Sequence, residues 1–154
     1  MSVVAMRRDS ALRAHVRRAL NDHMSSLGYT TPRALGISGS TPEIVRRNPG
    51  RGRIAFGETV LRSDLALSSC HERLKSFSQR RTRSRSTILF FIGVVETQRK
   101  EVECLLEELG IRSALGGGHV QIVPVAAPES AASQTRGTSS RQAAAIVKKT
   151  GSGK

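Results

Sequence analysis

Ser86-Thr87-Ile88-Leu89-Phe90-Phe91-Ile92-Gly93-Val94-Val95 is the stretch on which the reading of this chain turns. It is apolar without alternation, the pattern of a strand covered on both faces, and so predicts the centre of a sheet between helices. Its apolar run is far shorter than the roughly 18 residues that a membrane-crossing helix needs. Downstream, Thr97 to Leu109 predicts an amphipathic helix with Val102, Leu105, Leu106 and Leu109 inward and Gly110 at its end. His119 to Val125 predicts a last short strand.

Upstream lie a polar basic loop, Arg80 to Arg85, and a helix from about Leu65 to Gln79 with Asp64 or Ser63 as its N-cap. Two strands come before it, Glu43 to Arg47 and Arg53 to Leu61. The linker Asn48-Pro49-Gly50-Arg51-Gly52 has hairpin chemistry, because proline presets φ and glycine supplies positive φ. Along the second strand Ile54, Phe56, Glu58 and Val60 share a face. Tyr29 to Ile37 predicts an irregular first strand, interrupted by Pro32. Asp9 to Leu27 predicts a helix whose apolar stripe is Leu12, Val16, Leu20 and Met24, with Arg13, Arg17 and Arg18 opposite and Gly28 as C-cap. The order α-β-β-β-α-β-α-β predicts an α/β fold with a mixed sheet and flanking helices. Residues 1–8 are expected as a flexible N-terminus, 9–125 as one domain, and 126–154 as a disordered basic tail poor in large apolar residues.

Charge bounds the function. Twenty-five Lys and Arg oppose twelve Asp and Glu, a net +13. Five basic residues after Val125 (Arg136, Arg141, Lys148, Lys149, Lys154) face only Glu129, so removing that +4 leaves +9 on residues 1–125. A basic folded part predicts attraction to polyanions, nucleic acid first. A proteome rich in arginine is the competing explanation. Cys70 and Cys104 lie far apart without CxxC partners, which argues against zinc and disulfides and for thiols in a cytoplasmic setting. No apolar stretch follows the first charges, so no secretory signal and no membrane partner are expected. The four histidines form no spaced ligand set, and aromatic residues are too few and too core-like to stack on unpaired bases. Lys149 to Lys154 echoes a phosphate loop, but lacks the residue and helix that should follow it.

Pro42-Glu43-Ile44 and Gly57-Glu58-Thr59-Val60, set in that element order, resemble the motif of the PD-(D/E)xK nuclease superfamily. The helix Cys70-His71-Glu72-Arg73-Leu74-Lys75-Ser76-Phe77 resembles the one that follows the motif in such nucleases. The resemblance implies that Glu43 and Glu58 are the two catalytic carboxylates and that together they hold Mg²⁺. Such an ion lowers the pKa of a bound water and polarises the phosphoryl oxygen. Val60 stands where the family has its lysine. Three readings of that departure stay open: a lost activity on a nucleic-acid-binding scaffold, replacement by Arg62, or replacement by Lys75. Arginine stabilises charge but is a poor base, so Arg62 would fill only half of the lysine's role. Arg46, Arg47, Arg80, Arg81, Arg83 and Arg85 are the candidate nucleic-acid contacts, of the kind that positions a duplex without reading it. DNA is the expected partner, and a homodimer accords with the habits of the family. The alternative is a non-catalytic protein-interaction domain with a basic face, in which Glu43 and Glu58 are ordinary strand carboxylates paired with Arg46 or Arg62.

Overall fold

A computed structural model describes residues 3–31, 41–82, 85, 87–113 and 118–128. Helix α1 spans Val3–Ser26, strands β1 and β2 span Ile44–Asn48 and Arg53–Val60, and helix α2 spans Ser68–Gln79. Strand β3 (Leu89–Val95), helix α3 (Arg99–Glu108) and strand β4 (Val120–Val125) complete the order. The strands lie side by side as β1-β2-β3-β4. β1 runs antiparallel to β2, while β2, β3 and β4 are parallel. The fold is therefore α/β with a mixed sheet. Its two parallel connections carry α2 and α3, as crossovers between parallel strands require.

Alternation along the strands separates two apolar layers. Phe56, Val60, Phe90, Ile92 and Val94 meet Leu74 and Phe77 of α2 and Val102, Leu105 and Leu106 of α3. Ala55 and Phe91 meet Leu20 and Met24 of α1 on the other side. β3 is buried on both faces, as its unbroken apolar run demands. Gly57 and Gly93 bring α1 close to the sheet. A Cβ on Gly57 would stand 3.0 Å from Ile44 Cβ, and one on Gly93 would stand 3.1 Å from Val16 Cγ1.

Four expectations change. α1 begins at Val3, so residues 3–8, expected to be flexible, are helical; Ala5, Met6, Arg7 and Arg8 are good helix formers, with no Gly or Pro to stop them. Tyr29–Thr31 forms no regular strand: Thr30 makes one antiparallel bridge to Arg47, and positions 32–37 lie outside the described residues. α2 starts three residues later than expected, with Leu67 at its N-cap. Asp64 does not cap it, because its carboxylate accepts instead from the Leu61 amide and from Arg13. The hairpin linker behaves as its chemistry predicts, with Gly52 at φ 63° and Asn48 Oδ1 accepting from the Gly50 amide at 3.1 Å. Of the 126–154 tail, positions 129–154 lie outside the described residues.

Candidate functional site

The β1–β2 register pairs Ile44 with Gly57, which sets Glu43 across from Glu58. The two carboxylates clasp the end of the hairpin reciprocally. The Glu43 amide donates to Glu58 Oε1 at 2.9 Å, and the Thr59 amide donates to Glu43 Oε1 at 3.4 Å. Glu58 is only 5% exposed, and its second donor is Arg73 Nη2 from α2, at 2.6 Å. Burial pushes the Glu58 carboxyl above its ordinary pKa; the Arg73 hydrogen bond and the Glu43 amide pull the other way without cancelling it.

A second ion pair closes the same cavity. Arg13 Nη2 reaches both Asp64 oxygens, at 2.8 and 2.7 Å, while its Nη1 donates to the Thr59 carbonyl and lies 3.6 Å from Glu43 Oε1. Burial alone would lower the Arg13 pKa, but the hydrogen bond and charge of Asp64, helped by Glu43, outweigh it and raise it. Cys70 lines the cavity too, its thiol pushed up to about 11 by burial and by the charges of Asp64 and Glu58. A thiol held that high is a poor nucleophile near neutral pH. The cavity is about half open to solvent and has a volume of about 170 Å³.

Of the expected replacements for the missing lysine, neither reaches this cavity. β2 ends at Val60, and Arg62 turns away to pair with Glu101 of α3 at 2.8 Å. Lys75 is exposed, and stands two positions after Arg73, about 200° round the helix. Val60 itself is 1% exposed and packs in the layer beneath α2 and α3. Glu43 and Glu58 pair with Arg13 and Arg73, and not with Arg46 or Arg62. Both of those arginines escaped the sequence reading. Arg73 was legible: it falls between Cys70 and Phe77 at helical spacing, on the face of α2 that meets the sheet. Arg13 was read as exposed, yet it borders the buried stripe three residues before Val16 and leans over the edge of β2.

The donor set does not fit a divalent cation in this arrangement. Glu58 Oε1 and both Asp64 oxygens already accept from guanidinium groups. A metal ion there would sit beside Arg73 and Arg13, whose positive charge opposes its entry. Among the described residues no group of three or more His, Cys, Asp or Glu is placed to hold a metal.

The remaining arginines sort differently. Arg46 lies on the α1 side of β1, where Asn21 Oδ1 accepts from its Nε at 3.1 Å and its Nη2 at 2.7 Å. Arg17, Arg18 and Arg46, with Ala14, Asn21 and Ile44, line an open groove of about 300 Å³. Arg47, Arg81 and Arg85 are exposed, and Arg85 takes a positive φ of 62°. Arg80 lies over Phe77 and Phe56, 5.3 and 5.7 Å from the ring centroids, so it also anchors the end of α2. Arg83 lies outside the described residues.

No family model, curated protein or solved structure matches the chain. Among the described residues no helix is long and apolar enough to cross a membrane.

Proposed function

We propose that this chain is a nucleic-acid-binding domain of the PD-(D/E)xK kind whose cleavage centre is closed from within. The antiparallel β1–β2 pair followed by a crossover helix and a parallel strand, and the apposition of Glu43 and Glu58, support the kinship, with a single Thr30–Arg47 bridge in place of the expected first strand. The observation that carries the loss of cleavage is the Arg73–Glu58 pair. A guanidinium occupies the second carboxylate at 2.6 Å, while the position two residues on is a core valine.

The chemistry follows from that pairing. Hydrolysis of a phosphodiester needs an activated water and relief of the charge that builds on phosphorus. Glu58 spends its charge on Arg73, Asp64 spends its charge on Arg13, and Val60 offers no donor. What remains outside the cavity is a surplus of exposed arginine, which suits sequence-independent contact with phosphates. DNA is the expected partner. The two free thiols accord with a cytoplasmic setting.

The test is incubation with labelled linear, supercoiled and branched DNA, with and without Mg²⁺ or Mn²⁺, beside Glu58→Ala. Binding is expected to weaken with salt at a log–log slope of roughly −0.9 per neutralised phosphate, with no metal-dependent cleavage. Cleavage that Glu58→Ala abolishes would overturn the closed centre. Failure to bind at low salt would remove nucleic acid as the partner.

A further inference from the structure

We propose that the groove between α1 and β1 is a seat for the phosphodiester backbone, with Arg46 as its fixed anchor and Arg17 and Arg18 as its rim. This rests on the nucleic-acid reading above and gives it a place on the molecule. The argument begins with what holds Arg46. Its three engaged N–H groups donate to neutral acceptors only: Nε and Nη2 to Asn21 Oδ1, and Nη1 to the Val45 carbonyl at 2.8 Å. A guanidinium has five N–H donors, so one remains on each terminal nitrogen. Arg46 is thus oriented without being neutralised. That is the preparation an anion site needs, since the ordering entropy is spent before the ligand arrives.

Among the described residues no acidic side chain lines the groove, whose remaining walls are the small Ala14 and the apolar Ile44. Arg17 and Arg18 are exposed, and among the described residues neither lies within ion-pairing distance of a carboxylate. Asp22, one turn beyond Arg18, is exposed and does not line it. Three guanidiniums without a counter-charge repel one another, and a phosphate between them relieves that repulsion.

Two observations favour a polymer over a single small anion. The groove is open, so a backbone can pass along α1. The chain also leaves β4 beside the same helix, where His15 Nε2 meets the Ala126 carbonyl at 3.0 Å. The sequence beyond that point carries Arg136, Arg141, Lys148, Lys149 and Lys154.

The experiment is fluorescence anisotropy of the full chain with a labelled duplex, repeated from about 50 to about 200 mM salt. The variants are Arg17→Gln with Arg18→Gln, Arg46→Gln, Arg46→Lys, and Arg99→Gln on α3 as a control. The double variant is expected to flatten the salt slope by about 1.8, so the affinity lost across that range shrinks about tenfold. Its melting temperature should hold, because both positions are exposed on a helix. Arg46→Gln should weaken binding, whereas Arg46→Lys should keep most of the slope, because a point charge still meets phosphate. Unchanged slopes in the groove variants, with wild type binding normally, would overturn the seat and leave the nucleic-acid reading standing elsewhere. A wild type that does not bind at low salt would sink both. Inorganic phosphate that displaces the duplex at constant ionic strength would overturn the backbone in favour of a small anion.

Discussion

The acid cavity and the arginine groove are neighbours along α1, and they treat arginine in opposite ways. In the cavity, Arg13 and Arg73 meet Asp64, Glu43 and Glu58, and each positive charge is answered by a carboxylate. In the groove, Arg46 is held by an amide oxygen and a backbone carbonyl, so its charge stays available. Arg13 and Arg17 are one turn apart on the same helix, about 6 Å along its axis. The difference teaches that arginine content says little about binding until the acceptors are known. A guanidinium held by carboxylates ties elements together, whereas one held by neutral groups can still attract an anion.

The comparison breaks most severely if α1 is lifted. Gly93→Val would drive a branched side chain against Val16 and Leu20, which already stand 3.1 to 3.3 Å from the site of a Cβ. Overpacking of this kind costs about 1–3 kcal/mol. Thermal melts should show a fall of several degrees, and duplex binding should weaken with it because Arg17 and Arg18 ride on the displaced helix.

Asp64→Ala comes next. It removes both acceptors of Arg13 Nη2 and the acceptor of the Leu61 amide. Arg13 is about a third exposed, so solvent moderates the loss, which is expected at about 1–2 kcal/mol in urea unfolding. The same measurement on Arg17→Ala should move by no more than about 0.5 kcal/mol, since among the described residues Arg17 makes no such contacts. Equal costs would erase the contrast between the two sites.

The smallest effect is a slope. Because burial raises the Glu58 pKa, the folded chain holds that proton more tightly than the unfolded one. The stability this confers is present in acid and drains away as pH rises from the ordinary carboxylate range through the raised value. Glu58→Gln is neutral at every pH and leaves an oxygen to accept from Arg73. Its stability relative to wild type should therefore climb as pH rises through that interval and then level off. Urea midpoints from about pH 4 to about pH 8 would show it. A flat difference would mean that Arg73 fully compensates the buried charge.

The layered fold was largely legible in the sequence, for reasons visible in single elements. β3 is apolar throughout and is buried from Phe90 to Val95. The stripe of Val16, Leu20 and Met24 is the buried face of α1. The hairpin residues do what their φ preferences dictate. The approach of Glu43 to Glu58 also followed from two strands and a short linker. What misled was the edge of each element. The start of α2 shifts because Asp64, its expected cap, is engaged by Arg13 51 residues away, whereas the early start of α1 reflects helix-forming residues at its own end.

By itself the sequence determined the layer order, the buried faces and the excess of positive charge. These follow from periodicity and composition, which are local properties. Only the tertiary structure decided which arginines are spent and which are not. That choice turns on Arg13 meeting Asp64 across 51 residues and Arg46 meeting Asn21 across 25, contacts that no local pattern encodes. The physical reason is that a guanidinium sits at the end of a long flexible stem. Its charge is assigned by whichever acceptor the packing of helix on sheet brings within reach.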